Sequence, residues 1–248
     1  MPQANEAEHR GPTPPRTRLK PRDAATLVII DRAGTAPRIL MGRRRPDQVF
    51  LPDTFVFPGG RVEAADRVLA RRHAMPPAEA AFLKAAMRGR ATDTRAAALA
   101  LAAVRETFEE TGFVIGAPRQ GEVPANMGGW SGFLAEGFEP SLGALSFLAR
   151  AITPPGRPRR YDTRFFVADA ARIAHRTPHV DGELLDIDWF TVDKARSLKL
   201  PTITRRILED IATRLDREHG GFVEEAVPFY FHRYGRFERA LLPRPVPA

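Results

Sequence analysis

Residues 105–113, R-E-T-F-E-E-T-G-F, constrain the fold of this 248-residue chain more than any other segment. The polar residues at 92–94 offer an N-cap and Gly112 offers a C-terminal stop, so the pattern predicts a helix from about residue 95 to residue 111. Positions three and four apart share one face of a helix. Three carboxylates therefore converge on one side of this helix: Glu106, Glu109 and Glu110.

Such a group of carboxylates has an electrostatic cost, because like charges at this spacing repel one another. A divalent cation would relieve the repulsion, and Mg²⁺ is typically held by a few carboxylate oxygens, waters and substrate phosphates. Arg105 can reach Glu109 one turn later and hold its side chain. The alternative is a solvated helix face with one ordinary ion pair.

The same segment resembles the second half of the Nudix box, Arg-Glu-aliphatic-x-Glu-Glu-x-Gly-aliphatic. Thr107 stands where an aliphatic residue is usual, and Phe113 replaces the final one. Residues 57–63, F-P-G-G-R-V-E, resemble the first half. Gly60 precedes Arg105 by 45 residues, which is 31 more than in an uninterrupted box. The chain is therefore similar to Nudix hydrolases that carry an insertion inside the box, as peroxisomal coenzyme A diphosphatases do.

The resemblance implies a metal site, catalytic groups and substrate contacts. Counting from Gly60 places the next box carboxylate at Asp66, and a loop glutamate six residues before Trp189 is Glu183. The expected metal ligands are Glu106, Glu109, Glu110 and Gly59, binding Mg²⁺ or Mn²⁺. The expected catalytic residues are Glu109, Arg105, Glu183 and Asp66. The expected substrate-binding residues are Arg44, Arg160 and Arg164.

The implied fold is the Nudix α/β/α sandwich, an α/β fold with a mixed sheet between helices. Strands are predicted at 24–31, 38–41, 55–57, 164–167 and 185–190, and further helices at 78–87 and 203–215. Residues 1–22 are expected to be a disordered or loosely attached tail. The Nudix domain should span 23–248, with 67–93 as a partly mobile helical flap near the site and 217–248 as a C-terminal extension.

The implied activity is metal-dependent hydrolysis of a diphosphate linkage in a small substrate, a pyrophosphohydrolase reaction. Residues 159–166, R-R-Y-D-T-R-F-F, are similar to a segment of the coenzyme A diphosphatase subgroup, which makes coenzyme A or an acyl-CoA a candidate substrate. Other nucleoside diphosphate derivatives, namely a nucleoside diphosphate sugar, a dinucleoside polyphosphate or NADH, are alternatives. Arg44 falls where a coenzyme A signature has an arginine, but Val49 and Asp53 replace its other arginine and its glycine. A catalytically silent, ligand-sensing Nudix domain is an alternative.

Composition narrows the class of partner. The chain carries 38 Lys and Arg residues and a net charge of +8, which suits an anionic partner. An RNA-processing or RNA-binding role is a further alternative, but only three Tyr and two Trp are available to stack bases. The chain has no cysteine, which excludes thiol catalysis and fits a cytoplasmic protein. It has no long apolar run, so no membrane span is expected. A homodimer is compatible with these features.

Overall fold

The computed structural model describes residues 19–121, 127–178, 182–215 and 226–245. Most of the expected N-terminal tail, residues 1–18, lies outside them. The strands are β1 Arg22–Asp31, β2 Arg38–Arg44, β3 Phe55–Val56, β4 Gly59–Arg61, β5 Phe113–Val114, β6 Gly116–Pro118, β7 Phe138–Pro140, β8 Ser146–Ile152, β9 Tyr161–Asp169, β10 His175–Arg176, β11 Leu184–Thr191, β12 Ala226–Arg233 and β13 Arg236–Pro243. The helices are α1 Ala64–Leu69, α2 Pro77–Ala85, α3 Asp93–Thr111, α4 Trp130–Ala135, α5 Val192–Ser197 and α6 Thr202–Leu215.

A large mixed sheet organises the described part of the chain. Its order is β11-β2-β1-β9-β8-β12-β13, with β3 paired to β2 and β4 paired to β1. The pairs β1–β9 and β8–β12 are parallel, whereas the other pairs are antiparallel. Small two-stranded sheets join β5 to β10 and β6 to β7. The mixed sheet is therefore the one that the sequence predicts, extended by strands that the sequence did not show.

The two faces of the sheet bury different sets of side chains. On β1, Leu27 and Ile29 face the cluster that contains α3, whereas Val28 and Ile30 face the cluster that contains α6. All four are fully buried. Successive residues of a strand point to opposite faces, so a strand that is apolar throughout must be covered on both sides. This confirms the α/β/α arrangement of layers.

Helix α3 begins and ends where local chemistry predicts. The Thr92 side chain accepts a hydrogen bond from the Arg95 backbone N–H at 3.1 Å, which is a regular N-cap. At the other end, Gly112 adopts φ 73° and its N–H donates to the Phe108 carbonyl at 2.8 Å. A Cβ on Gly112 would lie 2.2 Å from the Thr177 carbonyl oxygen, so both the backbone angle and the packing require glycine here.

The segment inserted in the box is helical, as expected, and part of it packs in the core, whereas its expected mobility stays a prediction. Phe82 and Leu83 of α2 are fully buried. The Phe82 ring meets the Phe147 ring edge to face at 5.2 Å. In addition, the Glu79 carboxylate accepts a hydrogen bond from the Phe147 backbone N–H at 2.9 Å. The physical reason is that α2 has apolar residues, including Phe82 and Leu83, that are buried where the helix covers β8, a strand inside the sheet.

The C-terminal extension also belongs to the sheet. Strands β12 and β13 form a hairpin, and β12 pairs with β8 in parallel. The Tyr230 hydroxyl donates to the Asp210 carboxylate at 2.5 Å, which links the hairpin to α6. Residues 216–225, between α6 and β12, lie outside the described residues.

Candidate active site

Arg105 lies at the centre of the glutamate group and is only 2% exposed. Its Nη1 donates to Glu106 Oε1 at 3.0 Å and to Glu109 Oε2 at 2.7 Å. Its Nε and Nη2 donate to the two oxygens of Asp66 at 3.0 and 3.1 Å. The expected contact from Arg105 to Glu109 is present. The Arg105 guanidinium thus binds one oxygen of Glu106 and one oxygen of Glu109. The second oxygen of each of these two carboxylates is left for a further ligand.

Glu110 is the most buried member of the group. Its Oε2 accepts a hydrogen bond from the Gly59 backbone N–H at 2.9 Å, which brings the two halves of the box together. Burial raises the pKa of Glu110 well above its ordinary value, and the charge of Glu106 raises it further. The Gly59 N–H and the charge of Arg44 oppose this shift. A cation beside Glu110 would therefore compensate a carboxylate that is costly to ionise.

Burial also acts on the other two glutamates of α3. It raises the pKa of Glu106 to about 7, against the opposing charge of Arg105, while the charge of Glu109 adds to the rise. The pKa of Glu109 is raised for the same reason, and Arg105 again opposes the change. The shifts agree with the repulsion that the helix pattern predicts.

The double glycine of the box allows its backbone to lie against these carboxylates. A Cβ on Gly60 would lie 2.2 Å from Glu106 Oε1, and one on Gly59 would lie 2.6 Å from the Ala25 carbonyl oxygen. Both distances are shorter than a real Cβ contact, so a side chain at either position would displace a neighbour. Glycine is needed here for close approach, and neither residue has a positive φ.

Asp66 has a positioning role, which corrects its expected place among the catalytic groups. It is fully buried. Its carboxylate accepts two hydrogen bonds from Arg105, one from the Trp130 indole N–H at 2.8 Å and one from the Glu63 backbone N–H at 2.8 Å. With its oxygens occupied in this way, Asp66 orients Arg105 and cannot reach a substrate.

Arg44 and Glu183 lie together at the edge of the glutamate group. Arg44 Nη2 is 3.7 Å from Glu183 Oε2, and Arg44 Nε donates to the Phe50 carbonyl at 3.0 Å. The Glu183 side chain is 69% exposed, yet its charge raises the pKa of both Glu106 and Glu110. The structure therefore brings both predicted residues to the site.

The other two predicted substrate-binding arginines are not at the site. Arg164 is fully buried, and its Nη1 lies 2.7 Å from Asp162 Oδ1. The prediction for Arg164 is wrong because β9 lies in the middle of the sheet. Arg160 donates to the carbonyls of Thr153 and Leu19 at 3.1 and 2.7 Å, in the connection that leads into β9.

Two residues at the site were missed in the sequence. The Trp130 indole holds Asp66, as described above. A Cβ on Gly129 would lie 2.2 Å from Glu109 Oε1, so the loop before α4 packs closely on α3. The available signal was the run Gly128-Gly129-Trp130, two small residues followed by a large one that can donate a hydrogen bond.

The donor set suits a hard divalent cation, since all its members are carboxylates. Among the residues that the structure describes, however, no three acidic or histidine side chains converge closely enough to hold a metal ion as they stand. Glu109 is partly exposed, with its side chain at 36%, and so has room to turn. Glu106 and Glu109 are each bound to Arg105 through one oxygen, which leaves Glu106 Oε2 and Glu109 Oε1 as the ligands that a cation would draw together.

Comparison with known proteins identifies the family. No protein-family model matches the chain. The crystal structure of a Nudix hydrolase from Alicyclobacillus acidocaldarius matches with 30% sequence identity and a TM-score of 0.59, covering 77% of this chain and 90% of that one. The chain belongs to the Nudix hydrolase family. The glutamates of α3 and the turn at Gly59 and Gly60 are accordingly the two halves of its Nudix box, joined in space by the hydrogen bond from Gly59 to Glu110.

A curated relative agrees with the subgroup that the sequence resembles. The acyl-coenzyme A diphosphatase NUDT19 of Gallus gallus is 28% identical in sequence, and the match covers 68% of this Nudix chain. The match spans 60% of the length of that relative. In the part of the chain that the structure describes, no helix is long and apolar enough to cross a membrane.

Proposed function

We propose that this Nudix chain hydrolyses a diphosphate linkage in a small organic substrate and requires Mg²⁺ or Mn²⁺. The observation that carries the proposal is the grouping of Glu106, Glu109 and Glu110 on one face of α3, with burial raising the pKa of each carboxylate. Arg105 already shares its one positive charge among Asp66, Glu106 and Glu109, so the group keeps an excess of negative charge that a divalent cation would offset. The membership of a hydrolase family supports the same conclusion.

Each residue of the site has a distinct role in the proposed hydrolysis. Glu106, Glu109 and Glu110 would hold a divalent cation, which would supply charge neutralisation at the phosphoryl oxygens and a lower pKa for the attacking water. Asp66 orients Arg105, and Arg105 in turn fixes one oxygen of Glu106 and of Glu109. Glu109 and Glu183 are the exposed carboxylates, so one of them accepts the proton of the water. The water oxygen bonds to one phosphorus, and the bridging oxygen leaves with the other phosphate.

We propose coenzyme A or an acyl-CoA as the substrate. Support comes from the likeness to the relative that is named an acyl-coenzyme A diphosphatase, and from residues 159–166. Arg44 lies at the edge of the carboxylate group, where its guanidinium suits a phosphate oxygen. Cleavage at the diphosphate would give 3′,5′-ADP and 4′-phosphopantetheine or its acylated form.

The first experiment measures hydrolysis of a panel of diphosphate compounds with Mg²⁺ or Mn²⁺ and identifies the products by chromatography.

The second experiment tests the carboxylates with variants. Glu110→Gln and Glu106→Gln should abolish turnover. Glu110→Gln should keep the fold, since the amide oxygen can still accept the Gly59 hydrogen bond and a neutral group suits the burial. Glu209→Gln is the matched control, because Glu209 is also a helical glutamate paired with an arginine, Arg196, but lies on α6. A Glu110→Gln protein with wild-type turnover would refute the site, and robust cleavage of another diphosphate without 3′,5′-ADP from coenzyme A would refute the substrate.

A second comparison separates the two candidate bases. Glu183→Gln should leave Mn²⁺ binding in place and reduce kcat if Glu183 takes the proton. Glu109→Gln should reduce both Mn²⁺ affinity and kcat, since Glu109 is also one of the proposed metal ligands. Equal kcat for Glu183→Gln and the wild type would assign the proton transfer to Glu109.

A further inference from the structure

A surface cavity of about 470 Å³ lies beside the carboxylate group. The charged residues that line it are Arg22, Asp23, Arg61, Glu63 and Arg67. Ligand sites for small organic molecules have volumes of roughly 300–1,000 Å³. The cavity is therefore large enough for a phosphorylated sugar, and its charged lining suits a polar group.

The cavity and the catalytic group share a wall. The Arg61 carbonyl accepts a hydrogen bond from Arg105 Nη2 at 3.0 Å, so the backbone of β4 separates the two spaces by one residue. Gly60, the preceding residue, lies against Glu106. Glu63, the residue that precedes α1, lies close enough for its charge to raise the pKa of Glu109. A molecule whose diphosphate lies at the glutamates would reach this cavity by passing over the single residue Arg61 of β4.

Both acidic side chains of the lining already have partners. Asp23 accepts hydrogen bonds from Arg95 Nε and Nη2 at 2.7 and 2.8 Å. Glu63 accepts from Arg61 Nη2 at 3.1 Å. Their negative charges are thus largely neutralised by Arg95, which lies outside the lining, and by Arg61.

Arg22 and Arg67 remain as the cations of the cavity. Both residues are exposed, and no carboxylate within the described ranges forms an ion pair with either guanidinium. Arg67 makes only a long contact of 3.4 Å from Nη1 to the Glu63 carbonyl. The cavity consequently has an excess of positive charge and two guanidinium groups that can each bind two oxygens of one phosphate.

We propose that this cavity binds a phosphate monoester of the substrate, a group separate from the diphosphate that is cleaved, and that Arg22 and Arg67 hold it. The inference rests on the proposed function, because it assigns the cavity to a second part of the same substrate. It makes these two arginines determinants of specificity. Substrates that carry an additional phosphate monoester on the nucleoside are preferred over those that lack it.

Coenzyme A and 3′-dephospho-coenzyme A test this directly, since they differ only in that phosphate. The wild type should have the higher kcat/KM for coenzyme A. In Arg22→Ala and Arg67→Ala the ratio of the two kcat/KM values should fall by about tenfold, mainly through KM, because a charged hydrogen bond is lost. Arg71→Ala is the control: Arg71 is an exposed arginine one turn beyond Arg67 that does not line the cavity. It should keep the wild-type ratio.

Calorimetric binding of 3′,5′-ADP and 5′-AMP gives a readout that does not depend on turnover. The wild type and Arg71→Ala should bind 3′,5′-ADP more tightly, and Arg22→Ala and Arg67→Ala should lose that preference. An unchanged preference in both alanine variants, or none in the wild type, overturns the cavity assignment while leaving hydrolysis intact. A preference for 3′,5′-ADP in a protein that cleaves no diphosphate would overturn the proposed function alone.

Discussion

Arg105 and Asp66 form a buried ion pair with two parallel hydrogen bonds, Nε to Oδ1 at 3.0 Å and Nη2 to Oδ2 at 3.1 Å. The pair joins α3 to α1, whose residues are 39 positions apart in the sequence. Burial by itself lowers the pKa of Arg105, but the hydrogen bond to Asp66 and the three nearby carboxylates raise it. The guanidinium therefore stays charged and keeps two glutamates of the box in place.

Asp66→Asn should destabilise the protein substantially. The substitution leaves the buried Arg105 charge without its main partner, and breaking a buried pair costs about 3–5 kcal/mol. Urea unfolding monitored by circular dichroism measures the loss. Asp47→Asn is the control, because Asp47 forms an exposed pair with Arg45, and its effect should stay within about 0.5 kcal/mol. Equal stability of the two variants would show that the buried pair contributes nothing.

Gly60→Ala should weaken metal binding and leave the fold intact. The new Cβ would lie 2.2 Å from Glu106 Oε1, and the end of that side chain can shift to avoid it. We expect a loss of Mn²⁺ affinity of about tenfold or more, as for other changes in the residues that orient metal ligands. Isothermal titration calorimetry measures it. Gly143→Ala is the control, since no atom lies within 4 Å of its added Cβ. Wild-type affinity in Gly60→Ala would argue against Glu106 as a ligand.

Phe82→Ala should destabilise the protein by about 3–5 kcal/mol, because it removes a fully buried ring that packs on Phe147. Val68→Ala, also within the inserted segment, should cost little because Val68 is 51% exposed. Thermal and urea unfolding compare the two. In the wild type, the backbone amides of α2 should exchange slowly with solvent. Rapid exchange there, together with a small effect of Phe82→Ala, would support the expectation of a mobile flap.

Tyr230 should make stability depend on pH above 10. Burial raises its pKa to about 12, the hydrogen bond to Asp210 adds to the rise, and Arg239 opposes it. Since the pKa in the folded state lies above the unfolded value, the contribution is complete below pH 10 and is lost as the pH rises towards 12. The difference in unfolding free energy between the wild type and Tyr230→Phe should shrink over that range. Asp210→Asn should lower the pKa seen in tyrosinate absorbance; an unchanged titration would contradict this.

Much of helix α3 was predictable because its causes are local. The Thr92 cap, the Gly112 stop and the shared face of the three glutamates follow from helix geometry within residues 92–112. The strand predictions at β1, β2, β9 and β11 succeeded for the same reason, since β-branched and apolar runs mark buried strands. Their order in the sheet, and the addition of β8, β12 and β13, did not follow from any local pattern.

The role of a charged residue was harder to predict than its presence. Arg164 and Arg44 look alike in the sequence, yet Arg164 is buried in the centre of the sheet and Arg44 borders the glutamates. Asp66 was recognised by its spacing from Gly60, but only its burial under Trp130 shows that it positions Arg105. Exposure depends on what the rest of the chain places over a residue, and spacing does not contain that information.

By itself, the sequence determined the Nudix box and the helix that presents its three carboxylates, since helical periodicity and capping act between neighbouring residues. Only the tertiary structure decided that part of the inserted segment packs in the core. It alone also decided that Gly59 meets Glu110, and that Arg22 and Arg67 line one cavity. These long-range arrangements bring together residues that lie 51 positions apart, in the hydrogen bond from Gly59 to Glu110, and 45 positions apart, in the lining of the cavity. They form because burying the apolar faces of β1 and α3 brings distant segments together, and the side chains around them then find partners that no local pattern specifies.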